Sequence, residues 1–205
     1  MSLPNEHILL RPFEPADASA LARLWWEAFH DKLGHVLGDL APSFLEEWFA
    51  LAPAIPAGTT LACVAGRPLG YIQLMTRPHA IKEALGLWRL LRRRFGLLVC
   101  ARKLLQLWIS EGGCVVRKTD LYVYMLGVDG SSRSQGLGGR LLAFAEAEAR
   151  RLGKTRLTLG VVEHNDRAIR LYERFGFVKG HLHRTIIGGW AINVPAYYSM
   201  VKVLD

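Results

Sequence analysis

The order of apolar and polar positions divides the chain into a series of elements. "HILLRPF" (7–13) has the composition of a first strand. Pro15 and Asp17 then open a helix in which Leu21, Leu24, Trp25, Ala28 and Phe29 recur at helical spacing. A second, shorter helix is predicted at "PSFLEEWFALA" (42–52). "TTLACVAG" and "PLGYIQLMTR" read as two strands joined by the turn "GRP", an antiparallel hairpin. Residues 80–110 carry a helical pattern with a break near Gly96. "DLYVYMLGV" (120–128) is rich in β formers and runs into "DGSSRSQG" and a helix over about 137–152. "TRLTLGVV" (155–162) is a further strand. "NDRAIRLYERF" (165–175) is a helix with Asn165 as its N-cap and Gly176 where a C-terminal stop belongs. "GFVKGHLHRTII" and "AYYSMVKVL" close the series as strands.

The order is β-α-α-β-β-(α)-β-α-β-α-β-β. The central strand–helix–strand implies a local parallel pair, and the flanks imply antiparallel pairing. The expectation is a mixed α/β (α+β) sheet with helices on its faces.

Composition narrows the class. With 205 residues, 51% hydrophobic and 21% charged, one domain over 1–205 with a sizeable core is expected. Cys63, Cys100 and Cys114 are odd in number and far apart, without the short spacing of a zinc or redox site. The start, "MSLPNEHILLRPFEP", has acidic residues and prolines where a signal peptide needs an apolar stretch. No apolar run reaches the ~20 residues that span a bilayer. These features predict a cytoplasmic protein with reduced thiols. The net charge of +8 suits a polyanionic ligand, a nucleic acid or an anionic membrane surface. Residues 81–103 alone hold seven Lys or Arg against one Glu, so much of the excess is local.

"RSQGLGGR" (133–140) is the stretch richest in candidate chemistry. It is not a dinucleotide fingerprint, because Leu141 stands at the third glycine position after Gly136 and Gly138, and it lacks the Gly-Lys-Ser/Thr of a P-loop. A glycine loop between a strand and a helix brings free N–H groups and the positive end of the helix dipole to one place, an anion site in principle. Arg133 and Arg140 add charge. The other reading is a flexible strand-to-helix connection with solvated arginines.

The second half of the chain favours the anion site. Arg133, Gly136 and Gly138 form R-x-x-G-x-G after a strand, and about thirty residues later Asn165, Ala168, Leu171, Tyr172, Gly176 and Phe177 form N-x-x-A-x-x-L-Y-x-x-x-G-F. Together these resemble the GNAT superfamily of acyl-CoA-dependent N-acetyltransferases, in detail over residues 120–180 and by element order before that. The resemblance implies a mostly antiparallel sheet of six to seven strands, with helices on both faces and a central parallel pair. It implies acetyl-CoA as acyl donor and direct transfer to an acceptor amine, small-molecule or peptide. Amides of Ser134, Gln135, Gly136, Leu137, Gly138 and Gly139 would hold the pyrophosphate, beside Arg133. Backbone groups of Leu126, Gly127 and Val128 would pair with the pantetheine arm in a V-shaped opening, and one amide there would polarise the thioester carbonyl. Asn165 would contact the cofactor arm, and Tyr172 would protonate the leaving thiolate. Asn165 as a plain N-cap and Tyr172 as a core residue beside Ile169 and Phe175 are the rival readings.

The pattern departs from the family at the base. Many members carry a Glu on the fourth strand where this chain has Tyr122, and others a Glu on the fifth strand where it has Gly160. A phenol of ordinary pKa is a poor base near neutral pH. Tyr124, Asp120, Glu163 and His164 lie nearby, read as a packed strand aromatic and as turn or surface residues. This departure motivates a rival function, a non-catalytic acyl-CoA-binding sensor.

Residues of about 80–112 form a helical insertion. Ile81, Leu85, Trp88, Leu91 or Arg92, and Phe95 fall near one helical face, with Arg89, Arg93 and Arg94 mostly elsewhere. The readings are an apolar stripe packed on the domain under a solvated basic face, a lid whose arginines select an acidic acceptor, a homodimer contact, or a helix on an anionic membrane, the last interrupted by Glu83 and Gly96. One basic helix without a reading motif does not predict nucleic-acid binding. His181 and His183 share a strand face without a third metal ligand in the local pattern, and no metal is expected.

Overall fold

The computed structural model describes residues 8–51, 58–76, 88–94, 116–184 and 196–204. They form a seven-stranded sheet in the order β1-β2-β3-β4-β5-β7-β6. The strands are β1 (Ile8–Pro12), β2 (Thr59–Val64), β3 (Arg67–Met75), β4 (Asp120–Val128), β5 (Arg156–Val162), β6 (Val178–Arg184) and β7 (Ala196–Val203). The helices are α1 (Ala18–Leu37), α2 (Ala41–Leu51), α3 (88–94), α4 (Leu137–Arg151) and α5 (Asp166–Arg174). Every neighbouring pair is antiparallel except β4–β5, the predicted parallel pair. The mixed, mostly antiparallel architecture is as the sequence predicted.

Two apolar clusters sandwich the sheet. On one face α1 and α2 lay Leu21, Leu24, Trp25, Phe44, Leu45 and Phe49 against Leu61, Cys63 and Tyr71. On the other, Leu137, Leu141, Leu142, Ala145, Ile169 and Tyr172 of α4 and α5 cover Ile72, Leu121, Val123, Leu157 and Leu159. The alternation of buried positions along each strand sends successive side chains to opposite clusters.

Local chemistry fixes the joints. Asp17 accepts from both Arg11 Nη atoms at 2.6 Å and from the Glu14 amide at 3.0 Å, tying the end of β1 to the start of α1. The β2–β3 turn is Ala65–Gly66, not "GRP": both residues have positive φ (49° and 76°), as a two-residue turn of this hand requires, and Arg67 and Pro68 belong to β3. In α3, Leu90 and Leu91 are buried against the α1/α2 cluster, while Arg89, Arg92, Arg93 and Arg94 are exposed. Arg94 is bound to Glu47 of α2 at 2.5 Å, and Arg92 lies over the Trp88 ring. Over 88–94 the apolar side packs on the domain, with Leu91 rather than Arg92 on the buried side. The expected break at Gly96, and Ile81, Leu85 and Phe95, lie outside the described residues, as do Cys100 and Cys114. No helix among the described residues is long and apolar enough to cross a membrane.

Candidate active site

β4 and β5 run side by side only from Asp120↔Arg156 to Val123↔Leu159. Beyond that each follows its other neighbour: β4 stays on β3 as far as Val128↔Gly70, and β5 stays on β7 as far as Val162↔Tyr197. The separation begins where β4 carries one extra residue. Leu74 faces Val123 and Gln73 faces Met125, so Tyr124 is a bulge. Past it, the β5-side edge of Leu126, Gly127 and Val128 borders a V-shaped opening. Gly127 is required by its neighbour: a Cβ there would overlap the Tyr71 ring at Cε1 and stand 3.0 Å from Cζ.

The glycine loop starts from a braced corner. Asp129 accepts hydrogen bonds from the Ser131 amide and hydroxyl and pairs with Arg23 of α1. The hydrogen bonds from Ser131, then the Arg23 guanidinium, hold its carboxyl below the ordinary range. Glu27 accepts from the Gly130 amide at 3.0 Å. Arg133 Nε donates to the Val128 carbonyl at 3.2 Å, and Gln135 Nε2 donates to the Ser131 carbonyl at 2.9 Å. Ser134 (φ 63°) and Gly136 (φ 90°) turn the chain through left-handed conformations into α4, whose first residue, Leu137, is buried. Each glycine answers to a different demand. Gly136 supplies the backbone angle and caps the helix. Gly138 lets α4 approach α5, since its Cβ would come 2.9 Å from Leu171 Cδ2. A Cβ on Gly139 or Gly136 would meet nothing within 4 Å. The outer side of the loop is therefore open space next to the unpaired amides of a helix N-terminus.

Arg167 joins this loop from α5, donating from Nη2 to Ser134 Oγ at 3.1 Å. Asn165 Oδ1 accepts from the Ala168 amide at 3.1 Å, the expected N-cap. Gly176 ends α5 at φ 93°. Tyr172 is buried edge-on against Phe177, ring centroids 5.8 Å apart, in a cluster that also holds Ile169 and Phe175. Loss of solvent pushes its phenol up to about 12.

The two positions where carboxylates are expected in the family meet across the β4–β5 boundary. A Cβ on Gly160 would stand 3.2 Å from Tyr122 Oη and 3.5 Å from Tyr197 Cδ2. The other nearby candidates are dispersed. Asp120 is not a turn or surface residue: it is buried at the start of β4, paired with Arg156 at 2.7 Å. Glu163 is half-buried past the end of β5, His164 is exposed, and Tyr124 is half-buried at the bulge. His183 stacks on Tyr197 at 4.9 Å. Among the described residues, no three His, Cys, Asp or Glu side chains group as a metal site.

The sequence reading missed Arg23, Glu27 and Asp129, which have no motif signal, and Arg167 and Tyr71. Only Arg167 lies inside a recognised motif.

Comparison with known proteins agrees with this geometry. Residues 18–177 match the model of the acetyltransferase (GNAT) family, and the chain belongs to that family. It is 32% identical over 178 residues to a mycothiol acetyltransferase of Thermobispora bispora, covering 85% of this chain and 48% of that protein. A 59-residue stretch is 44% identical to the acetyltransferase Atu2258 of Agrobacterium fabrum, 29% of this chain and 42% of that one. The chain thus spans about half or less of the length of these curated relatives. In fold it is similar to Ard1 from Thermoplasma volcanium (TM-score 0.60, 18% identity, 97% and 99% of the two chains). It is also similar to yncA from Salmonella typhimurium, solved with its cofactor acetyl-CoA (TM-score 0.57, 15% identity, 97% and 94%).

Proposed function

We propose that this chain is an acetyl-CoA-dependent N-acetyltransferase that passes the acetyl group directly to a primary amine. The observation that carries the reading is the opening between β4 and β5 with an open, glycine-lined helix N-terminus at its mouth. The residues present fit the cofactor. Amides of Ser134 to Gly139 offer donors to a pyrophosphate, and Arg133 and Arg167 bring positive charge to the same loop. The edge of Leu126 to Val128 offers strand-like pairing to an extended arm, near the cap residue Asn165.

When bound, acetyl-CoA supplies an acyl group activated as a thioester. The chemistry asked of the protein is then limited. The amine must arrive neutral; a C–N bond forms as the C–S bond breaks, the departing sulfur takes a proton, and the nitrogen gives one up, which restores the donor. The phenol of Tyr172 keeps its proton at neutral pH, and its place in the second motif assigns it as the donor to that sulfur.

The test is acetyl-CoA binding by calorimetry, followed by thiol release across amines that include peptides, polyamines and aminoglycosides. Turnover with an amine supports the reading; absence of acetyl-CoA binding overturns it. The replacement of both base positions by Tyr122 and Gly160 favours one second reading, an acyl-CoA-binding sensor. Tight binding with no turnover on any amine would select it.

A further inference from the structure

We propose that Tyr71 is a second tyrosine of the acyl site, a hydrogen-bond donor to the carbonyl oxygen of the bound acetyl group. The inference rests on the acetyltransferase reading and adds a residue that its motifs do not contain.

Three observations converge on Tyr71. First, its ring leans across β4. Tyr71 sits on β3 directly opposite Gly127, and Cε1 and Cζ occupy the space that a Gly127 side chain would fill. A tyrosine reaches about 6.5 Å from Cβ to hydroxyl and neighbouring strands are about 4.8 Å apart. With its edge over β4, the ring reaches the strand that borders the place where β4 and β5 have parted. Second, Tyr71 belongs to the α1/α2 cluster and Tyr172 to the α4/α5 cluster, on opposite faces of the sheet. Burial first, and Tyr172 second, push the Tyr71 phenol well above its ordinary value. Third, the Tyr71 hydroxyl is fully buried and makes no hydrogen bond among the described residues.

A buried donor without an acceptor is costly to fold around, so Tyr71 holds a group prepared for a partner that the described residues do not supply. Trp25 stacks on the ring at 6.2 Å and fixes its orientation. The partner proposed by position is the thioester carbonyl beside Leu126, Gly127 and Val128. As the amine attacks, the electron pair moves onto that oxygen, and it returns when the C–S bond breaks. Tyr71 keeps its proton throughout and serves only to stabilise the charge. A neutral donor that is already in place, and that has lost no other bond, gains most at the moment the oxygen is anionic. An additional donor of this kind adds to the backbone amide without replacing it.

The experiment compares Tyr71→Phe with the unaltered protein in three measurements. Turnover should fall by about 100-fold, the lower end of what one oxyanion donor supplies, with the KM for acetyl-CoA little changed. Acetyl-CoA labelled with carbon-13 at the carbonyl should show a downfield shift when bound, and lose most of it in Tyr71→Phe. Thermal stability should stay the same or rise, because an unpartnered buried hydroxyl has been removed. A fall in turnover of less than about tenfold with an unchanged carbonyl shift overturns the inference and leaves a packing role for Tyr71. The carbonyl shift needs no acceptor, so a sensor that binds without turnover is tested equally. If acetyl-CoA does not bind the unaltered protein, the acetyltransferase reading fails and this inference falls with it.

Discussion

The Tyr122 hydroxyl stands 3.2 Å from the point a Cβ on Gly160 would occupy. The two positions that hold a carboxylate elsewhere in the family are therefore in contact distance here, with the Tyr122 hydroxyl beside Gly160. A side chain at 160 would crowd the Tyr122 hydroxyl, which would have to give way by a few tenths of an ångström. Without a carboxylate at either place, the acid limb of the pH–rate profile should follow the acceptor amine itself. An acceptor whose ammonium is more acidic should move the limb down by the same amount. Tyr122→Glu, which supplies a base, should give a limb independent of the acceptor. An acceptor-independent limb in the unaltered protein would point to a side-chain base elsewhere.

Gly139 provides a test of the cofactor loop that separates folding from binding. It lies in the first turn of α4, and a Cβ there meets no atom within 4 Å. Gly139→Ala should stabilise the ligand-free protein by about 0.5–1 kcal/mol through helix propensity. The same methyl group projects toward the space assigned to the pyrophosphate, so CoA affinity should drop. Urea unfolding and calorimetric titration read the two effects. Higher stability with unchanged affinity would remove the loop from the binding site.

Tyr172 should leave a mark on alkaline stability. Its folded-state value is raised by burial to about 12, above the ordinary 10 of an unfolded tyrosine. The stability it contributes is fully present below pH 10 and is lost as pH rises toward 12, by about 2.7 kcal/mol for this difference. Tyr172→Phe should flatten that part of the stability curve. It should also lower turnover far more than cofactor affinity, as expected of a proton donor to the leaving sulfur. Unchanged turnover in the variant would leave Tyr172 only its place in the core.

The Asp129 corner carries the acid-side counterpart. The Ser131 hydrogen bonds and Arg23 depress its carboxyl, so its contribution is present above the ordinary carboxylate range and lost as pH falls through the folded value. Arg23 is half-exposed, and solvent screening limits the pair. Asp129→Ala should therefore cost about 1–2 kcal/mol, mostly from the lost cap on Ser131. It should also weaken CoA binding by releasing the start of the glycine loop. Isothermal titration at neutral pH and unfolding curves from pH 3 to 7 check both effects.

The two motifs were legible because each depends on neighbours close in sequence. Asn165 caps a residue three positions on, and Gly136 sets its own φ. The parallel pair followed from a strand–helix–strand order. Tyr71 and Gly127 could not be paired in advance, because their contact depends on the register of β3 against β4. Arg23 meets Asp129 across 106 residues, with no periodicity to announce it. The β2–β3 turn was misplaced for a local reason: Ala65 adopts a positive φ that favours glycine, so "GRP" looked like the better turn.

The extra residue at Tyr124 changes the parity of β4. Before it, odd positions such as Leu121 and Val123 face α4 and α5; after it, even positions such as Leu126 and Val128 do. An uninterrupted strand cannot present residues five apart on one side, yet Tyr122 and Gly127 share the α1/α2 face. Tyr122 and the glycine that admits Tyr71 are thus brought into phase by a single inserted step. Removing that step would rotate one of them out of the site, however well each residue were preserved.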